Sequence, residues 1–211
     1  RHPADAERIA VVPLSGDAST RRYYRLVDGD RSFVLALYPE PFLPEELSYL
    51  AVHGLLESYG LPVPATVDVD GGRGIVLQED LGTRTLQDEL KDAGGARREE
   101  LYREAVDEIA RLQMKAAQGP QKLDCFRIAF DIEKLAWELH YFRKHFVEGH
   151  RGCDLSVEDR ATVSEAFHEL SREIASWPRV LCHRDYHSRN LMRHQGRLYW
   201  IDFQDARMGP A

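Results

Sequence analysis

The sequence is poor in the features that mark several protein classes. It has 3 cysteines in 211 residues, and the spacing of Cys125, Cys153 and Cys182 matches neither a zinc site nor a disulfide framework. It also lacks an uninterrupted apolar run of the roughly 18 residues that a membrane-spanning helix needs, and its first ten residues lack the apolar stretch of a secretory signal. These gaps favour a reducing, cytoplasmic location with no membrane partner.

The sequence also has no excess of positive charge. The 28 Lys and Arg residues are outnumbered by 35 Asp and Glu residues, which gives a net charge of −7. A nucleic-acid partner is therefore disfavoured, because long-range electrostatics oppose binding to a phosphate backbone. Hydrophobic residues make up 43% and charged residues 30%, which excludes a disordered or fibrous protein. The oligomeric state is not indicated.

The first 79 residues are rich in strand patterns. Short apolar, β-branched or aromatic runs cover residues 9–14, 23–27 and 32–38, and the Asp28-Gly29-Asp30 turn predicts a hairpin. A helix is predicted from Pro44 to Gly60, followed by a second hairpin over residues 66–78. We therefore expect residues 1–79 to form a small, mostly antiparallel lobe.

From Leu86 onward the hydrophobic period is mostly helical. Helices are predicted up to the Gly119-Pro120 breaker, over residues 131–146, and from the cap Ser156 to just before Pro178. The last of these should face the core through four side chains: Val163, Phe167, Leu170 and Ile174. Strand-like runs at residues 180–182 and 198–201 bracket a polar loop. Residues 80–211 are thus expected to form a mainly helical second lobe, which makes the chain α+β.

The polar loop carries the most informative motif. Residues 183–190 read H-R-D-Y-H-S-R-N, and Asp202-Phe203 follows twelve residues after Asn190, matching the kinase pattern H-R-D-x-x-x-x-N and then D-F. Phosphoryl transfer requires a carboxylate that deprotonates the attacking hydroxyl and oxygen ligands that hold Mg²⁺ against ATP. The motif predicts Asp185 as the base, and Asn190 and Asp202 as the metal ligands.

A metal-dependent hydrolase is the alternative enzyme class. His183, Asp185 and His187 alternate in sequence, so on an extended segment all three would face one way, as transition-metal ligands do. This hypothesis leaves Asn190 and Asp202 without a role. For His187, lining an acceptor pocket and being a satisfied polar group are equally supported, whereas His183 is expected to brace the loop.

With these residues identified, the chain resembles the aminoglycoside phosphotransferase family, the small-molecule branch of the protein-kinase-like fold. The family segment commonly reads H-G-D-x-H-x-x-N, and here Arg184 replaces its glycine. The resemblance implies an ATP- and Mg²⁺-dependent kinase with two lobes, residues 1–79 being the nucleotide-binding lobe. It also implies that the segment Glu79 to Gly82 is the connector between the lobes, where Glu79 and Leu81 would meet adenine.

Within the family, the segments 14–25, 183–190 and 202–206 are most similar to the anomeric kinases of N-acetylmuramate and N-acetylglucosamine. This similarity implies phosphorylation of the 1-hydroxyl of a free amino sugar in peptidoglycan recycling. An aminoglycoside antibiotic as acceptor is the second hypothesis, and a nucleotide-binding module without transfer activity is the third.

The loop between the first two strands is a candidate phosphate site. Gly16 and the hydroxyl residues Ser15, Ser19 and Thr20 would bring backbone N–H groups near phosphate oxygens, although an ordinary polar hairpin tip explains the same residues. One of the arginines that follow the loop would add positive charge at the nucleotide, and we select Arg25 for this role, although a solvated basic strand face is the plainer explanation.

Two departures from the family pattern stand out. Ala36 lies near the position of the usual third-strand lysine, so either an arginine of the preceding strand supplies that charge or the chain is a nucleotide-binding module without transfer activity. Family members also continue well past the Asp202 region, so we expect the chain to be C-terminally truncated.

Overall fold

A computed structural model describes residues 9–14 and 20–211 of the chain. Nine strands are present in that part: β1 Ala10–Leu14, β2 Arg22–Asp28, β3 Arg31–Leu37, β4 Thr66–Asp70, β5 Ile75–Glu79, β6 Arg179–Cys182, β7 Leu191–His194, β8 Arg197–Trp200 and β9 Arg207–Pro210. Its α-helices are α1 Ser48–Ser58, α2 Leu86–Asp92, α3 Gly95–Gln118, α4 Ile132–Phe142 and α5 Val157–Ala175. An antiparallel sheet followed by helices confirms the predicted α+β class.

The amino-terminal sheet has the strand order β1-β2-β3-β5-β4, and every neighbouring pair is antiparallel. The β2–β3 hairpin closes through Gly29, whose φ of 60° suits a tight turn. Residues that face each other across an antiparallel pair share one face of the sheet. Ala36 therefore lies on the same face as its partners Tyr23 and Val76.

Helix α1 packs its apolar side chains into the core of this part of the chain. Tyr49, Val52, Leu55 and Leu56 are all buried, and the helix is followed by Gly60 at a φ of 70°. The predicted start at Pro44 is wrong. Pro44–Glu46 forms a separate 3-10 turn, because the extended backbone of Leu47 interrupts the helix before it restarts at Ser48.

The helices α4 and α5 pack against each other, but both differ in part from expectation. The predicted helix over residues 131–146 ends as an α-helix at Phe142 and continues as a π-helix, Arg143–His150. Helix α5 has the predicted Ser156 cap, which forms a reciprocal capping box with Asp159. Leu170 was expected to face the core, but it is 42% exposed. The predicted apolar face of α5 is therefore only partly buried.

The sequence predicted two strands near the carboxyl end, at residues 180–182 and 198–201, with one polar loop between them, but the structure has four strands in two pairs. Strand β8 pairs with β7, and β6 pairs with β9. Strands β7 and β9 were not predicted from the sequence. A two-residue turn, Gln195-Gly196, joins β7 to β8, and both of its residues have positive φ. Because this geometry matches the twist of an antiparallel hairpin, the Gln-Gly pair was the signal that could have revealed β7.

The chain forms two compact units, residues 1–110 with 185–204 and residues 111–184 with 205–211. The lobe division at residues 79 and 80 stays a prediction. Among the described residues, no helix is both long and apolar enough to cross a membrane.

A partly buried ion pair connects β2 to the segment that follows β5. The Arg25 guanidinium donates to both Asp80 carboxylate oxygens, at 2.6 and 2.9 Å, and to the Gly82 carbonyl at 2.8 Å. Burial raises the pKa of Asp80, but the hydrogen bonds from Arg25 and from the Gly82 amide outweigh it and hold that pKa below its usual value. The bidentate geometry fixes β2 to the segment that follows β5.

We predict that Asp80→Asn lowers the free energy of unfolding at pH 7 by about 2 kcal/mol, because it removes a charged hydrogen-bond acceptor from this pair. Because the pKa of Asp80 is lower in the folded protein than in the unfolded chain, the ionised carboxylate stabilises the folded protein at pH values above its unfolded pKa of about 4. This stabilisation is lost as the pH falls from there through the folded-state pKa of Asp80. The difference between variant and wild type should therefore shrink below about pH 4. Urea unfolding of the full-length protein across this pH range measures it.

Asp28→Asn is the matched control, since Asp28 pairs with Arg31 at 3.1 Å on an exposed turn. That change should cost at most about 1 kcal/mol. An equal loss in both variants, or a loss at Asp80 that does not change with pH, would contradict the assignment.

Candidate functional site

The loop from Asp185 to Asn190 is folded by its own hydrogen bonds. The His187 amide donates to the Asp185 carbonyl at 3.0 Å, and the Asn190 amide donates to the His187 carbonyl at 2.9 Å. The side-chain Nδ2 of Asn190 donates to the same Asp185 carbonyl at 3.0 Å. These bonds hold Asn190 against the backbone of the predicted base.

The β7–β8 hairpin brings Asp202 to this loop. Leu191 pairs with Trp200 at the open end of the hairpin, and the Ile201 amide donates to the Asn190 carbonyl at 3.0 Å. Asp202 is the next residue in the chain. The predicted base and both predicted metal ligands are therefore assembled at one end of one hairpin.

Aromatic packing anchors the residues on either side of Asp202. Trp200 and Phe203 are almost fully buried, and the Phe203 ring stacks on the Tyr49 ring of α1 with centroids 5.2 Å apart. The Trp200 amide donates to the Pro62 carbonyl at 2.9 Å. Asp202 itself remains exposed, with 43% of its side chain accessible, so it is available to a ligand.

An ion-pair cluster that the sequence analysis missed holds the other side of the hairpin. Arg193 on β7 donates to Glu89 of α2 at 2.8 Å and to both Glu104 oxygens of α3 at 2.9 and 2.6 Å. The neighbouring Arg97 donates to the second Glu89 oxygen at 3.0 Å. The Arg193 pairings join residues 104 and 89 positions apart in the chain, and no local sequence signal marks them.

Tyr186, next to the predicted base Asp185, is held by a hydrogen bond and by a ring contact. Its hydroxyl donates to the Ala105 carbonyl of α3 at 2.7 Å, and its ring meets the Trp200 ring edge-on at 4.9 Å. Burial raises the pKa of Tyr186, which keeps the hydroxyl protonated as a donor. The loop residues next to Asp185 are therefore firmly placed.

The oxygens at the hairpin end fit a hard divalent cation. Because Asn190 donates through Nδ2, its Oδ1 is the atom left for a metal. Asp202 accepts at Oδ1 from Arg21 at 3.3 Å and from Gln204 at 2.9 Å, so Oδ2 is the oxygen that a cation would take. An amide and a carboxylate suit Mg²⁺, which fills its remaining positions with waters and phosphate oxygens.

The geometry required by the hydrolase alternative is not present. That alternative needs residues 183–187 to be extended, but the hydrogen bond from His187 to Asp185 makes this segment a turn. His183 is buried, whereas Asp185 and His187 are exposed. Within residues 9–14 and 20–211, no group of three or more His, Cys, Asp and Glu side chains is arranged to hold a metal.

The predicted nucleotide-binding residues differ in burial and in hydrogen bonding. The Leu81 side chain is buried and its carbonyl accepts from His194 at 3.2 Å, and a Glu79 carboxylate oxygen accepts from the Ala65 amide at 3.0 Å. Thr20 is exposed just before β2. Arg25 is held by Asp80. Three further residues, Ser15, Gly16 and Ser19, lie outside the described part of the chain.

Two residues of the site adopt the left-handed backbone conformation that favours glycine. Arg184 has a φ of 83° and Asp202 a φ of 61°. A non-glycine residue held there costs about 1–3 kcal/mol, and such strain is concentrated at functional sites. Glycine would adopt the φ of Arg184 without this cost.

Comparison with known proteins identifies the family. Residues 10–211 match the phosphotransferase enzyme family. The chain belongs to this family. The resemblance inferred from residues 183–190 is thereby confirmed.

Curated relatives of the chain include enzymes named N-acetylmuramate/N-acetylglucosamine kinase. The one from Pseudomonas aeruginosa is 34% identical over 200 residues, covering 95% of this chain and 56% of the relative. The one from Neisseria meningitidis serogroup B is 31% identical over 199 residues, covering 93% of this chain and 57% of the relative. The chain thus spans little more than half the length of these phosphotransferases.

Solved structures share the fold at low sequence identity. An aminoglycoside phosphotransferase in a ternary complex with streptomycin and ATP has a TM-score of 0.66 at 15% identity, covering 98% of this chain and 69% of that chain. Choline kinase from Streptococcus pneumoniae has a TM-score of 0.60 at 17% identity, covering 98% of this chain and 67% of that chain. These similarities confirm the predicted kinase-like fold.

The left-handed backbone at Arg184 reverses the usual effect of glycine and alanine on protein stability. Replacing glycine by alanine normally stabilises a protein, but it destabilises one where φ is positive. We expect Arg184→Gly to be about 1 kcal/mol more stable than Arg184→Ala. Both variants lose the contact of Arg184 with Asp205, at 3.6 Å, so the comparison isolates the backbone. Chemical unfolding measures the difference, and an alanine variant more stable than the glycine variant would refute the strain.

Proposed function

We propose that the protein uses ATP and Mg²⁺ to phosphorylate a hydroxyl of a small molecule, the anomeric 1-hydroxyl of N-acetylmuramate or N-acetylglucosamine. The observation that carries this proposal is the arrangement of Asp185, Asn190 and Asp202 at the end of one hairpin. Membership of the phosphotransferase family supports the reaction class. The names of relatives at 34% and 31% identity support the amino sugar.

Asp185 has the properties of a general base for the acceptor. Its carboxylate is exposed, and its backbone carbonyl is fixed by Asn190, so the side chain starts from a rigid point. Asp185 accepts the proton of the acceptor hydroxyl as that oxygen attacks the terminal phosphorus and the bond to the ADP oxygen breaks. In-line transfer of this kind depends mainly on positioning and on charge neutralisation.

Asn190 and Asp202 would hold Mg²⁺ through one amide oxygen and one carboxylate oxygen. The bound ion supplies positive charge against the phosphate oxygens of ATP. Asp202 is held for this task by the buried Phe203 that follows it. Because the base and the ligands are separate residues, metal binding leaves the Asp185 carboxylate able to accept a proton.

The adenine and acceptor contacts in this proposal rest on the resemblance. Glu79 and Leu81 would meet adenine, and the loop that includes Ser15, Gly16, Ser19 and Thr20 would cover the phosphates. His187 would line the acceptor pocket, since it is exposed and its amide is bonded to Asp185.

Variants of the two aspartates should separate proton transfer from metal binding. Asp185→Asn keeps the shape of the side chain but removes the base, so kcat should fall by about 10²–10⁴-fold while the Kd for Mg·ADP changes little. Asp202→Asn removes a charged metal ligand, so it should also weaken Mg·ADP binding. Initial rates and fluorescent-nucleotide titration of the full-length protein measure both effects. Full turnover by Asp185→Asn would refute the assignment of the base.

The acceptor is tested by a panel of substrates. We expect ATP consumption with N-acetylmuramate and N-acetylglucosamine, and no phosphate transfer to the 1-O-methyl glycosides, because their anomeric oxygen carries no hydroxyl. An aminoglycoside of the kanamycin type is the competing acceptor, since a net charge of −7 suits a polycation. Transfer to the aminoglycoside alone would overturn the amino-sugar proposal, and binding of Mg·ADP without transfer to any acceptor would favour the non-catalytic module.

A further inference from the structure

The third strand lacks the cation that kinases place there. In protein kinases a lysine on this strand pairs with the nucleotide phosphates, but β3 carries Ala36 near that position, with 1% of its surface exposed. Ala36 lies opposite Tyr23 of β2. Since opposite residues share a face, Tyr23 lies on the Ala36 face, and Arg21, which comes just before β2, holds its guanidinium over the Tyr23 ring.

Arg21 is held on that face and reaches the predicted metal ligand. Its Nη2 lies 3.3 Å from Oδ1 of Asp202, and only 14% of its side chain is exposed. The guanidinium carbon lies 5.8 Å from the centre of the Tyr23 ring and 5.9 Å from that of the Tyr38 ring. Two aromatic rings and a carboxylate thus fix a permanent positive charge beside Asp202.

The two arginines of β2 itself, Arg22 and Arg25, do not reach Asp202. Arg25 uses its guanidinium on Asp80 and on the Gly82 carbonyl. Arg22 is exposed at the start of β2 and, being one residue from Tyr23, faces the other side of the sheet. Of these three arginines, Arg21 is the one whose charge is directed at Asp202.

We propose that Arg21 takes the place of the missing strand lysine: it orients Asp202 and donates to the phosphate oxygens of the bound nucleotide. This inference rests on the proposed function. A guanidinium has five N–H donors, so one can remain on Asp202 while others meet phosphate. The same cation also offsets the charge that Asp202 carries at its strained backbone position.

The test compares ligands with and without phosphate. Arg21→Met in the full-length protein should raise the Kd for Mg·ADP at least tenfold and leave the Kd for adenosine within twofold of wild type. Arg22→Met is the matched control, since it makes the same charge change on the exposed neighbouring residue, and it should alter neither value. Titration with a fluorescent ADP analogue, and competition by adenosine, measure these constants.

Arg21→Gln is the second variant, because it retains a polar group beside Asp202 and Tyr38 while removing the charge. It should show the same selective loss of Mg·ADP affinity. Unchanged Mg·ADP binding in both variants, or a parallel loss of adenosine binding, would overturn the role of Arg21 and leave the proposed function intact. A wild-type protein that binds no Mg·ADP would overturn the proposed function itself, and the role of Arg21 with it.

Discussion

The hydrogen bond from the Ile201 amide to the Asn190 carbonyl closes the open end of the β7–β8 hairpin, and the rest of the site depends on that closure. It brings Asp202 beside a residue twelve positions earlier in the chain. Asn190 in turn binds the carbonyl of Asp185 through its side chain. A hairpin register is a discrete property, because a slip of one residue would turn every side chain to the other face. The spacing between the predicted ligands is therefore fixed by backbone pairing.

The packing around Asp202 explains how this residue can be held in a strained backbone conformation at the end of the hairpin. Asp202 has a φ of 61°, a conformation that persists only when neighbouring contacts over-determine it. Those contacts are the buried Phe203 on one side, the buried Trp200 on the other, and the Arg193 cluster with Glu89 and Glu104 on the hairpin. A rigid scaffold thus presents an exposed carboxylate, as metal binding and phosphoryl transfer both require.

Much of the amino-terminal sheet could be predicted because its signals are local. Alternating apolar residues and the Gly29 turn indicate a hairpin without reference to the remainder of the chain. The catalytic pattern was equally visible, since Asp185, Asn190 and Asp202 are identified by residue type and spacing. Helix α5 was found from its Ser156 cap.

Contacts between distant parts of the chain could not be predicted. The pairing of β6 with β9 joins segments about 30 residues apart, and the Arg193 cluster joins residues even farther apart. The partners of two arginines show the same difficulty. Arg25 pairs with Asp80 and Arg21 pairs with Asp202, but the sequence does not contain the positions of these carboxylates in space.

The most direct test is a crystal structure of the full-length protein with Mg²⁺ and a non-hydrolysable ATP analogue. We expect a metal ion about 2.1 Å from an oxygen of Asn190 and from an oxygen of Asp202, with the Asp185 carboxylate not bound to the metal and facing the terminal phosphate. A metal bound by other residues, or one that takes Asp185 as a ligand, would contradict it.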